Sequence, residues 1–255
     1  MTLKPKKTKA MSDIQQNPYS KKNLFITKTL GQFMYINKIT EAESASYIGG
    51  KPAISQGISI PKSPNGSLMS FYFTLQFPEA HSLHGYTLSV FAATDDFNED
   101  YTIPEMLKIP LLGAIIPDNF LSDSQKYFAT LLFRNEEKTY ASDYPTRIAM
   151  TPLAFSHSKG SDVFGWAGDK PKWLMGDETP AQYKGMALDF LFQVHGEQSF
   201  PIIDTAPAQQ EMDIFGKSKP RIKRNYTLFN QNEIYFFGSR TEDVDDRVYI
   251  ITQCD

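Results

Sequence analysis

One stretch of this chain occurs twice. Residues 168–194 read GDKPKWLMGDETPAQYKGMALDFLFQV and residues 49–77 read GGKPAISQGISIPKSPNGSLMSFYFTLQF. With Lys170-Pro171 set over Lys51-Pro52, no gap is needed. Pro180 falls on Pro61, Gly185 on Gly66, Leu188 on Met69, Phe190 on Phe71 and Phe192 on Phe73. A unit that occurs twice in one chain usually packs against its copy, each covering the other's apolar face. The fold class expected is therefore α+β: a β-rich, internally duplicated unit of two pseudo-symmetric halves, with short helices and long loops. The halves run over about 45–135 and 165–255, inside a single domain of residues 23–255 that follows a flexible basic tail, 1–22.

Each repeated position has a structural use. The prolines fix φ near −65° and remove backbone donors, which suits an extended arm crossing a sheet face without pairing to it. Gly66 and Gly185 let the chain turn into a strand with positive φ. In the strand, Met69, Phe71, Phe73 and Leu75 alternate with Ser70, Tyr72, Thr74 and Gln76 and are expected on one face. Residues 86–92, 127–133, 186–194, 232–238 and 248–252 read as further strands. Residues 24–36 read as either an apolar helix or a strand pair. Thr40 and Glu43 form a capping-box pattern for a short helix over 40–47. Residues 196–224 read as a long loop carrying Lys217, Lys219, Arg221, Lys223 and Arg224.

Composition narrows the function classes. The 255 residues carry a formal charge of −3, which argues against a general nucleic-acid binder. The 19 Phe and 13 Tyr favour strands. The single cysteine, Cys254, has no internal disulfide partner, and no apolar run reaches the roughly 20 residues a spanning helix needs. A cytoplasmic protein is expected, with neither membrane nor nucleic acid as partner. Residues 1–28 hold seven Lys against Asp13 alone, as in a solvated tail.

No reacting constellation is recognisable. Gly49-Gly50 runs into Lys-Pro rather than a helix start, so it is no phosphate loop. No G-x-S-x-G elbow occurs. His81 and His84 stand three apart without a cysteine or carboxylate to complete a ligand set, and the 242–246 run EDVDD lacks calcium-loop spacing. No catalysis, cofactor or metal is expected. Asp177 and Glu178 are adjacent on an extended arm and so point apart. Asp177 or Thr179 is expected to cap backbone groups before Pro180.

The GGKP run with Pro61 and the strand FYFTLQF resembles the opening signature of the YwqG-like bacterial family. DETP at 177–180, FLFQV ending at Val194, and the closing IYFF and DRVYIITQCD are similar to that family's second half. The resemblance spans about 45–255 and departs from the family pattern at Ile60, where a Trp is usual. It implies an α+β fold with a duplicated β-rich unit and, for some members, a role as an immunity protein that neutralises a cognate bacterial toxin domain by direct binding. On that reading the partner-binding residues are Asp95, Asp96, Trp173, Asp177, Glu178, Glu242, Asp243, Asp245 and Asp246, placed to meet a basic toxin cleft. The basic loop 217–224 offers the opposite option, an acidic toxin surface. The alternative is an enzyme or small-ligand binder using a cleft between the halves, lined by Trp173, Glu178 and His195.

Overall fold

The structure is a computed structural model and describes residues 33–40, 43–95, 103–109, 112–239 and 248–254. The expected tail and residues 24–32 lie outside the described residues. So do Asp96 and the acidic run Glu242, Asp243, Asp245 and Asp246.

Ten strands form one sheet. Along the chain they are β1 (Met34–Lys38), β2 (Ser46–Ile48), β3 (Ser70–Gln76), β4 (Tyr86–Ala92), β5 (Phe128–Arg134), β6 (Thr151–Ser156), β7 (Val163–Ala167), β8 (Asp189–Val194), β9 (Glu233–Gly238) and β10 (Tyr249–Gln253). From edge to edge the order is β10, β9, β8, β7, β1, β6, β2, β3, β4, β5. Every neighbouring pair is antiparallel. The strand β1 lies between β6 and β7, and β6 lies between β1 and β2. Among the described residues the one α-helix is Phe120–Ser124, five residues long. The fold is thus β-rich and mostly strand, with few short helices.

The expected single apolar face on β3 is corrected by a β-bulge. Phe71 pairs with Phe91 and Phe73 with Val90, so Tyr72 is an extra residue in the ladder. An extra residue inverts the inward–outward phase of everything after it. Met69 and Phe71 therefore pack with Tyr47, Ile54 and Tyr144 on one face, while Phe73, Leu75 and Phe77 join the central core on the other. The strand β8 has a bulge of its own at Leu191, where Phe190 pairs with Phe237 and Phe192 with Phe236. Leu188 and Phe190 pack with Tyr235 and Phe237, whereas Leu191, Phe192 and Val194 enter the central core. In that core Phe73 meets Phe164, Phe192 and Phe236 edge-on at 5.1, 6.1 and 6.1 Å. Burying each such side chain contributes about 1.5–3 kcal/mol.

The opposite face is covered by two straps. The first, residues 51–66, is not free of pairing as expected: Ala53–Ser55 ladders with Lys138–Tyr140. The second, residues 170–185, is paired as well: Gln182–Tyr183 ladders in parallel with Ile115–Ile116 and antiparallel with Met186–Ala187, and the Ala181 N–H donates to the Ala114 carbonyl (2.8 Å). Its first part, around Lys172 to Gly176, is held by side chains. Gly66 (φ +88°) and Gly185 (φ +74°) turn the two straps into the strands that follow, as expected.

Three further expectations are corrected. The described part of 40–47 is not helical, because Ser46–Ile48 is drawn into the sheet between β3 and β6. The strand expected over 186–194 breaks at Leu188, whose N–H turns to the Ala181 carbonyl (3.1 Å). The loop 196–224 holds strands: Ser199–Pro201 pairs with Asn225–Thr227, and Gln210–Met212 forms a hairpin with Ser218–Pro220. That hairpin buries neither face, so it leaves no apolar alternation in the sequence.

Candidate functional site

Polar side chains on the strap face of β8, β9 and β10 hold the second strap. Directly opposed residues form a row across the sheet: Tyr35, Trp166, Gln193, Tyr235 and Ile251. Gln193 clasps Lys172, its Oε1 accepting from the Lys172 N–H (3.0 Å) and its Nε2 donating to the Lys172 carbonyl (3.1 Å). The Tyr235 hydroxyl accepts from the Leu174 N–H (3.0 Å) and donates to the Lys172 carbonyl (3.3 Å). Gln253 accepts from the Leu174 and Met175 N–H groups (3.2 and 3.0 Å) and donates to the Gly176 carbonyl (3.0 Å). The Lys172 ammonium lies over the rings of Phe33 (4.4 Å) and Trp166 (4.9 Å), near enough for cation–π attraction.

Beside the strap is a cleft of about 470 Å³, lined by Val163, Leu174, His195, Gln198, Gln231 and Glu233 among others, with Cys254 also on its wall. Glu233 organises it. Its Oε1 accepts from His195 Nδ1 and the Gly196 N–H, both at 3.2 Å, and its Oε2 from Gln193 Nε2 (2.8 Å). Burial alone would raise this carboxyl, but those hydrogen bonds outweigh it and hold Glu233 below the usual carboxylate value. Phe229, Asn230 and Gln231 are consecutive non-glycine residues with φ of 49°, 55° and 64°. Such left-handed residues cost of order 1 kcal/mol or more each and collect at functional sites. Gly196 packs so closely on this turn that a Cβ would sit 2.3 Å from the Gln231 carbonyl oxygen.

The residues chosen from sequence are spread over several places. Trp173 is half-buried, its ring against Tyr235 (4.4 Å) and Phe237 (5.9 Å). Asp177 accepts from the Thr179 N–H (2.9 Å) and hydroxyl (2.6 Å), the local cap expected before Pro180. Glu178 lines a narrow crevice with Met106, Leu107, Pro180, Tyr249 and Ile251. Asp95 is exposed just beyond the end of β4. Trp173, Glu178 and His195 thus do not line one cleft: only His195 reaches the large one. His81 is no free ligand. Its Nδ1 accepts from the Leu83 N–H (3.0 Å) and its Nε2 donates to the Leu191 carbonyl (2.8 Å) while the ring stacks on Phe77.

The second candidate feature is the hairpin 210–220. Its tip is a rigid turn. Asp213 Oδ1 accepts from the Phe215 and Lys217 N–H groups (2.8 and 2.9 Å), and the Asp213 N–H donates to the Lys217 carbonyl (2.9 Å). The foot is fixed by Gln209, which accepts from the Thr227 N–H (2.8 Å), and by the Gln210 N–H, which donates to the Thr94 carbonyl (3.0 Å). At the tip Ile214 is 92% exposed and Phe215 79%, and beyond the hairpin Ile222 is 94% exposed. Lys217 closes the tip, and Lys219, Arg221 and Lys223 follow it along the chain, with Glu211 pairing Lys219 (3.7 Å) and Arg221 (3.6 Å). The cations stand out in the sequence but the apolar tip before them does not, because a loop assignment gives side chains no direction.

Comparison with protein-family models finds no match, and comparison with curated proteins finds none either. The YwqG-like resemblance rests on the residues quoted for it. Among the described residues no helix is long and apolar enough to cross a membrane.

Proposed function

We propose that this chain is a non-catalytic binding protein of the immunity kind, acting in the cytoplasm, which neutralises a cognate bacterial toxin domain by direct binding and occlusion. One observation carries the reading: a backbone-paired hairpin with a hydrogen-bonded tip presents Ile214 and Phe215 to solvent, with Lys217 in the same turn. An exposed apolar tip costs solubility unless a partner covers it, and anchors of this kind dominate interface energies. The partner's complementary surface is an apolar pocket rimmed by carboxylates. Docking thus moves from the acidic turns to the basic option in the sequence, with Asp95 next to Thr94 at the hairpin's foot.

The same reading takes the chain as a divergent YwqG-like protein built by duplication. The strand order supports this: each strand of β1–β5 and the one five places later occupy mirrored positions about the β1/β6 pair. Bulges at the aligned residues Tyr72 and Leu191 support it too. So do the strap bonds, since Ser89 donates to the Ala53 carbonyl (2.7 Å) and Tyr235 to that of Lys172, positions that match in the repeat. The mirrored order requires the first strand of each half to have crossed into the other, which locks the halves together.

The test is co-expression with the toxin domain encoded by the neighbouring gene. Wild-type chain is expected to co-purify with it and to protect cells from it. Ile214→Ser/Phe215→Ser is expected to do neither while melting at the same temperature. Undiminished protection by the double variant would overturn the assignment of the hairpin.

A further inference from the structure

We propose that the cleft beside the second strap is a binding site for a guanidinium group. Its wall carries two carboxylates, Glu197 and Glu233, and no lysine or arginine. Gln198 lines it too, its Nε2 donating to the Val163 carbonyl (3.3 Å). Gln231 and Asn232 supply amide groups, and Val163 and Leu174 an apolar patch for an aliphatic stem.

The wall is also built at a cost. Gln231 sits with Phe229 and Asn230 in the left-handed turn, and only a glycine at position 196 lets that turn approach. Two carboxylates on the wall of a cavity of about 470 Å³ suit a planar group with five N–H donors better than a single ammonium. His195 is already turned onto Glu233 and fixes that carboxylate in place. This inference is independent of the hairpin's partner. The guanidinium could belong to a free arginine-like metabolite or to an arginine side chain of another protein.

The chain supplies its own reporter. Cys254 is its single cysteine, is exposed, and lies on the cleft wall. The experiment follows alkylation of the Cys254 thiol in the full-length protein. It uses Nα-acetyl-L-arginine amide, L-arginine, Nα-acetyl-L-lysine amide and L-citrulline as probes. A dissociation constant of about 1 mM or below is expected for the guanidinium probes. At about ten times that concentration, occupancy slows alkylation roughly tenfold. Citrulline, isosteric with arginine and uncharged, is expected to give no protection, and the lysine probe less than the arginine ones. Protection by L-arginine as well as by the blocked amide assigns a free metabolite, and protection by the blocked amide alone assigns a protein side chain. Glu197→Gln touches only an exposed carboxylate and is expected to weaken protection several-fold. Glu233→Gln, checked for an unchanged melt, is expected to abolish it. Equal protection by citrulline and arginine, no protection by any probe, or full protection in a folded Glu233→Gln variant would each overturn the proposal.

Discussion

His81 shows how a single side chain is set by its surroundings. Burial pushes its ring down to about 4, against the Leu191 carbonyl, which favours the protonated form. In the unfolded chain the ring titrates near 6.5. Above that value neither state is protonated and the contribution is whole. As pH falls from 6.5 towards 4, the unfolded chain takes up a proton that the native ring refuses. Stability then declines by about 3 kcal/mol in all. Urea unfolding at pH 7 and pH 4.5 should show this slope, and His81→Gln should flatten it while lowering stability at pH 7. Glu233 acts in the same direction lower down. Its depressed carboxyl stabilises above the ordinary carboxylate range, near 4.3, and that share disappears as pH falls through its lower native value. The histidine spacing was legible in the sequence, but its meaning was not. The partner that consumes Nε2, Leu191, lies 110 residues further along the chain.

At the scale of elements, the strands and straps behave as one device. Polar residues that alternate with apolar ones in β3, β4 and β8 look like a solvent face in the sequence, yet Ser70, Thr74, Ser89 and Gln193 are buried. Thr74, Ser89 and Gln193 face the straps and are hydrogen-bonded there or to each other, and Ser70, before the bulge and so on the other face, bonds Thr94 and Arg147. Periodicity reads polarity and cannot tell water from a strap carrying its own donors and acceptors. The bulges at Tyr72 and Leu191 were hidden for a related reason: an unbroken run of large side chains fits either phase. The first part of the second strap, around Lys172 to Gly176, depends on its clasps. Replacing Gln253 with Leu leaves the Met175 N–H and Gly176 carbonyl without their protein partners and weakens the Leu174 N–H. A loss of about 1–2 kcal/mol is expected, with hydrogen exchange at Leu174 and Met175 accelerated ahead of the central strands. Unchanged exchange at those amides would remove the clasp from the account. The hairpin is the reverse case. Its tip touches little of its own fold, so Ile214→Ser/Phe215→Ser should change stability by no more than about 0.5 kcal/mol.

At the scale of the whole molecule, the two similar stretches were legible because prolines and glycines mark them. The placing of β6 between β1 and β2, and of β1 between β6 and β7, was not, because residue patterns mark which segments are strands more readily than which strands are neighbours. That interleaving has a measurable consequence. Fragment 1–145 lacks β6, which joins β1 to β2, and fragment 146–255 lacks β1, which joins β6 to β7, so neither should unfold cooperatively alone, and mixed together they should restore one transition. Two independent transitions from the separated fragments would rule out the interlock. The interlocked sheet gives the hairpin a rigid base, and a rigid base is what makes an exposed apolar tip an economical docking element. The most direct measurement is a calorimetric titration of the neighbouring gene's toxin domain into wild-type chain and into the folded Ile214→Ser/Phe215→Ser variant. Loss of at least tenfold in affinity, about 1.4 kcal/mol or more, is the result expected if the tip is an anchor. Equal affinity for both proteins, or no binding of the toxin domain to either, would contradict it.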